Sequence, residues 1–141
     1  YTTLFRSLNV GPTARGTFDE RALECLGFMG DWMWLHGRSI YGCTAAPDEF
    51  KKPDNCLLTY NPKTRRLYVH VLVWPMGKLH FDGIADKVAY AQLLNDASEV
   101  KFSRSEGGAW MSGQGDQNAV TFDLPVRQPN TVVPVIELFL K

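Results

Sequence analysis

Apolar and polar positions follow two different periods along this chain. From Thr17 to His36 the apolar residues recur at helical spacing: Ala22, Leu23, Leu26, Met29 and Met33 form one stripe, and Cys25, Phe28, Trp32 and Leu35 form a second beside it. Glu20, Glu24, Gly27 and Asp31 make a narrow polar seam, with the large ring of Trp34 close to it. Thr17 and Glu20 have the spacing of a capping box, Asp19 falls in the positive first turn, and Gly37 is placed as the residue just past the end. The pattern predicts a helix over 17–36, and one so apolar in circumference requires cover on more than one side.

After a Pro/Asp/Lys-rich connection, 46–55, the period falls to 2. In Leu67–Trp74 the residues Leu67, Val69, Val71 and Val73 face one way, and Tyr68, His70, Leu72 and Trp74 the other. Both faces are largely apolar, which predicts a central strand whose second face is covered in part by the preceding helix. Asn61–Thr64 predicts a hairpin turn from the run Cys56–Tyr60, and Trp74–Gly77 a turn into Lys78–Phe81. Further short strands are expected at Val88–Leu94, Val100–Ser103, Ala109–Ser112, Ala119–Leu124 and Val132–Leu140, separated by Gly, Asp, Asn and Pro. This spacing predicts a mainly β fold, an antiparallel β-sandwich of about eight strands preceded by one amphipathic helix.

Composition narrows the function. Fifteen basic and fifteen acidic residues are scattered without blocks. That distribution offers neither a nucleic-acid footprint nor a polybasic membrane patch. No apolar run reaches the roughly 20 residues of a bilayer span. Cys25, Cys43 and Cys56 lack CxxC spacing and read as ordinary buried or half-buried thiols, with no metal or cofactor implied.

The segment Leu8-Asn9-Val10-Gly11-Pro12, the helix containing Gly30-Asp31-Trp32, and the closing His36-Gly37-Arg38-Ser39-Ile40-Tyr41-Gly42 together resemble the LNVGP…IGxWxxxNGxxIYG pattern of α-L-fucosidases of glycoside hydrolase family 29. His36 stands where that pattern more commonly has Asn. Leu67 to Trp74-Pro75 and Gly77-Lys78-Leu79 are similar to the strand and WPxGxL turn of the family's C-terminal sandwich, so the resemblance runs from Leu8 to Lys141.

In that family a (β/α)8-like barrel precedes the sandwich. The resemblance therefore implies that residues 8–45 are the remnant of the last barrel strand and helix, that 46–141 are the C-terminal sandwich, and that almost all of a barrel of about 250 residues is absent. Residues 1–7 resemble a translated sequencing-adapter read of the kind found at the edges of metagenomic contigs, and are expected to be an artefact. Family members are commonly secreted, periplasmic or lysosomal, and if the start is truncated, as the resemblance implies, the compartment is left open.

Family enzymes are retaining glycosidases with an Asp nucleophile and a separate acid/base carboxylate. The nucleophile belongs to a middle barrel strand, upstream of every residue here, and no GxSxG, HExxH or phosphate loop substitutes for it. The carboxylates Asp19, Glu20 and Glu24 at the helix start are accounted for by capping, macrodipole and solvation. His70 and His80 alternate into strand faces without a motif partner, which reads each as a packed or hydrogen-bonded histidine rather than a base, and Trp74 reads as core. Trp110, between Gly107-Gly108 and Gly113-Gln114-Gly115, could pack across the sandwich mouth or stack on a sugar face. Asn9 and Gly11 fall at the mouth of the last barrel strand. Trp110, His80, Asn9 and Gly11 are thus the substrate-contact candidates, and a fucosylated glycan the expected ligand. Phe28, Trp32 and Trp34, where the barrel would pack, are the candidates for self-association through the 17–36 helix.

Two functions from different classes follow. One is an accessory sandwich that buttresses the barrel of an α-L-fucosidase and contacts glycans without turnover. The other is a small active fucosidase that uses carboxylates of this chain across an oligomer interface. A carbohydrate-binding sandwich unrelated to the family would have to treat the LNVGP and IYG matches as chance.

Overall fold

Strand alternation and the hairpin signals set the architecture seen in the computed structural model, which describes residues 9–104 and 118–141. Two compact units are present, one ending at Trp34 and the other running Leu35–Lys141. The element order is α1 (Glu20–His36), a 3-10 turn (Gly37–Ser39), β1 (Thr44–Ala45), β2 (Cys56–Asn61), β3 (Arg66–Val71), β4 (Lys78–Phe81), β5 (Val88–Leu93), β6 (Phe102–Arg104), β7 (Val120–Asp123) and β8 (Val135–Leu140).

The helix differs from its expected ends for identifiable reasons. Asp19 rather than Thr17 is the cap: its Oδ1 accepts from Arg21 N at 2.8 Å, whereas the Thr17 hydroxyl is 2.9 Å from that of Thr13. Gly37 does not close the helix in a left-handed conformation. The chain instead tightens into the 3-10 turn, with Ile40 N and Tyr41 N both donating to Gly37 O, and the left-handed residue is Gly42 at φ 72°. Only His36 of α1 is buried. Phe28 is 58% and Trp34 89% exposed, so the cover expected for the two apolar stripes is not supplied among the described residues. Cys25 is exposed, contrary to the expectation of a buried or half-buried thiol, while Cys43 is intermediate and Cys56 buried.

The strands form a five-stranded sheet in the order β1-β2-β3-β8-β5 and a three-stranded sheet β4-β7-β6, with every pairing antiparallel. The expected β-sandwich is what the chain builds. Leu67, Val69, Val71, Ala91, Leu93, Ile136 and Leu138 of the large sheet meet Leu79, Phe81, Val120 and Phe122 of the small one in a single core. The expected hairpin closes with Asn61 Oδ1 accepting from Lys63 N and Thr64 N at 3.1 and 3.3 Å, and with Arg65 left-handed at φ 51°.

Some boundaries moved. The central strand stops at Val71: Leu72 N still donates to Asn55 O, but Asn55 is left-handed at φ 55°, and Leu72 and Val73 are exposed. The last strand starts at Val135, since Pro134 has no N–H for the ladder and its carbonyl instead accepts from Val71 N. Thr44–Ala45, too short for a periodic signal, pairs with Tyr60 and Thr59. The strand expected at 109–112 lies outside the described residues. Trp74 packs partly against the core and donates from Nε1 to Pro125 O at 2.9 Å.

Candidate functional site

The face of the large sheet turned away from the core carries most of the described chemistry. Register places Thr59, Tyr68, Glu137 and Gln92 side by side across β2, β3, β8 and β5. The neighbouring row is Asn61, Arg66, Phe139 and Tyr90. Both rows follow from period 2, because Arg66, Tyr68 and His70 share a side of β3, as do Val135, Glu137 and Phe139 of β8.

Glu137 is the centre of this surface. Its side chain is only 4% exposed, and a carboxylate that deep requires donors on both oxygens. It has them. Gln92 Nε2 donates to Oε2 at 2.7 Å and Arg38 Nη2 lies 3.0 Å from the same atom. Tyr68 OH donates to Oε1 at 3.3 Å, with Arg66 Nε at 3.8 Å. Burial pushes the Tyr68 phenol far above its ordinary value, and the Glu137 charge adds to the shift. The hydroxyl therefore remains a donor at any physiological pH.

Arg66 is held from two further directions. Its Nη1 donates to Thr64 O at 3.0 Å, and its guanidinium carbon stands 3.7 Å above the Phe139 ring, whose edge meets Tyr90 at a centroid distance of 5.2 Å. Arg38 arrives from the turn after α1 and is 55% exposed. Between the turn and the sheet lies a cavity of about 390 Å³, lined among others by Arg38, Tyr41, Asn61, Arg66 and Glu137.

Beside it, the second face of β3 is covered by the last helical residue and the turn after it. Thr59 donates through Oγ1 to Ser39 O at 2.6 Å, and the same oxygen is 3.0 Å from His70 Nε2. With the Thr59 proton committed to Ser39, His70 Nε2 is the donor of the second bond, which assigns the tautomer. Burial, with His36 adding to it, lowers the His70 pKa from 6.5 to about 4. His70 is neutral and structural at neutral pH.

The residues singled out from sequence are not among those named as lining this cavity. His80 is exposed on β4, with Nδ1 2.8 Å from Thr121 Oγ1, on the three-stranded sheet. Asn9 and Gly11 are exposed in the segment preceding α1, and a Cβ on Gly11 would meet nothing within 4 Å. Phe28 and Trp34 are exposed on α1, Trp32 is half-buried, and Trp110 lies outside the described residues. Asp19 caps the helix, and Glu20 and Glu24 are exposed. Sequence reasoning missed Arg38, Arg66, Tyr68, Gln92 and Glu137. The available signal was Glu137 itself, one acid inside the otherwise apolar Val135–Leu140. Among the described residues no group of three or more His, Cys, Asp or Glu side chains could hold a metal.

Comparison with known proteins gives this architecture a relative. An α-L-fucosidase isoenzyme 1 from Paenibacillus thiaminolyticus superposes on 94% of this chain with a TM-score of 0.77 and 33% sequence identity. This chain is related to the α-L-fucosidases of glycoside hydrolase family 29. Human plasma α-L-fucosidase is 29% identical to the fucosidase-related chain over 121 residues, which are 84% of it. A family 29 α-L-fucosidase from Bacteroides thetaiotaomicron shares its fold at a TM-score of 0.75 and 23% identity, again over 94% of the chain. The chain spans only 30% of the Paenibacillus enzyme, 27% of the Bacteroides one and 24% of the human one. No protein-family model matches the chain.

Proposed function

We propose that this chain is the C-terminal part of an α-L-fucosidase, the last barrel helix and an accessory β-sandwich, and that it buttresses a catalytic barrel without hydrolysing glycosides itself. The observation that carries the reading is the match of 94% of the chain to 30% of a relative at 33% identity. The chemistry of the sandwich supports it. A retaining glycosidase needs two carboxyl groups about 5 to 5.5 Å apart, one of them held protonated. The cavity on the large sheet is lined by a single acid, Glu137, and that acid is matched by Arg38, Arg66, Tyr68 and Gln92. It is built as a structural ion pair.

On this reading the partners are the barrel of the parent enzyme, a fucosylated glycan at Trp110, and a second copy of the chain through the exposed face of α1. Hydrolysis of 4-nitrophenyl α-L-fucoside by the purified chain is the test, run beside an identical preparation lacking the gene. The expected result is no turnover above that blank. Turnover that copurifies with the chain and disappears on substitution of one carboxylate would replace this reading with the small active fucosidase. Catalytic groups misplaced by about 1 Å lose on the order of a hundredfold in rate, which is why an accidental site across two chains is disfavoured.

A further inference from the structure

The cavity beneath the 36–43 segment has more positive than negative charge: two guanidinium groups, Arg38 and Arg66, against the one carboxylate of Glu137. The hydrogen-bonding capacity of these groups is unevenly used. Both oxygens of Glu137 have partners, and Arg66 is engaged by Glu137, Thr64 O and the Phe139 ring. Arg38 meets Glu137 through Nη2 and leaves Nε and Nη1 without a partner among the described residues. Asn61 gives its oxygen to the hairpin turn, so its Nδ2 donor remains beside Gly42, whose missing Cβ would stand 3.5 Å from it. Gly42 is left-handed at φ 72°, the backbone conformation that favours glycine at this bend.

We propose that this cavity binds a small carboxylate-bearing molecule, with the Arg38 guanidinium as its principal ligand and Asn61 Nδ2 beside it. A planar guanidinium edge matches a carboxylate in a paired hydrogen-bond geometry, and the 55% exposed Arg38 side chain is open to a ligand arriving from solvent. The cavity volume of about 390 Å³ admits a small ring carrying the acid, with Tyr41 at the lining as an aromatic surface. The site goes beyond the fucosidase reading and stands or falls independently of it.

The test follows the Arg38 Nε–Hε and Asn61 side-chain amide signals of the full ¹⁵N-labelled chain during titration with sodium acetate or sodium glucuronate, against sodium chloride at matched ionic strength. Saturable shifts at these two groups with a Kd on the order of millimolar are expected for the carboxylates and not for chloride. Tighter binding of glucuronate than of acetate assigns a sugar acid; equal binding assigns the carboxylate alone. Arg38→Gln should weaken binding at least tenfold. Asn61→Asp is the second variant, because it keeps the oxygen that accepts from Lys63 N and Thr64 N while replacing the Nδ2 donor with a like charge, and it should also abolish the shifts. Equal responses to chloride and the carboxylates, or unchanged affinity in both variants, would overturn the site.

Discussion

Glu137 and His70 stand two positions apart in register on the same sheet face, and each is held there by neighbours from other strands and from the turn after α1. Removing the carboxylate leaves the half-buried Arg66 and the amide of Gln92 without their partner, and a buried polar group left unmatched costs about 1–3 kcal/mol. Glu137→Ala is therefore expected to destabilise the chain by about 2 kcal/mol in urea unfolding, with Glu137→Gln costing less because the side-chain oxygen still accepts. Arg38, being 55% exposed, contributes little to that figure. For His70 the sign follows from its lowered pKa. Between pH 6.5 and about 4 the unfolded chain takes up a proton that the folded chain refuses. Its contribution is fully present above pH 6.5 and is lost as pH falls toward 4, a change of up to about 3 kcal/mol. Stability measured across that window should fall with acidity in the parent, and the slope should flatten in His70→Gln. The packed, hydrogen-bonded character of His70 was legible in the sequence; the role of Glu137 and the identity of the partners of both were not. A lone His or Glu in a strand declares its face, but its partners come from other strands and from the turn after α1, and register alone brings them together.

At the scale of elements, α1 was legible in existence and extent, and its start was shifted by competition between two oxygen side chains for one cap. Asp19 prevails because its carboxylate reaches Arg21 N, while Thr17 is occupied with Thr13. The exposed Leu23, Phe28, Met29 and Trp34 leave an apolar surface of the kind monomers rarely tolerate. Sedimentation velocity across the micromolar range is expected to show concentration-dependent association, reduced in the double variant Phe28→Glu/Trp34→Glu with helix content unchanged by circular dichroism. A strictly monomeric parent would count against that surface as an interface. The hairpin at Asn61 was legible for the opposite reason. Its chemistry is local, since the side chain that makes the turn and the N–H groups it accepts from lie within three residues of one another.

At the scale of the molecule, the buried hydrophobic core among the described residues lies at Phe50 or later, within the Leu35–Lys141 unit. A chain beginning at Leu35 is accordingly expected to unfold cooperatively with a midpoint within a few degrees of the full chain, in thermal melts followed at 222 nm. A broad or absent transition would show that the helical segment is needed for the sandwich. The period-2 runs, the turn residues between them and the parity of Arg66, Tyr68 and Glu137 are properties of neighbouring positions on one chain. Alternation and turn chemistry depend on such local relations, and so a mainly antiparallel β-sandwich after a helix could be read before any coordinates. Strand order is another matter. That β8 lies between β3 and β5 is settled by contacts between residues about seventy positions apart, such as Tyr68 with Glu137. No local pattern encodes a distance of that kind. The pairing of a buried acid with Arg38 and Arg66, and the cavity beside it, exist only once the assembled sheet and the turn after α1 bring these groups together.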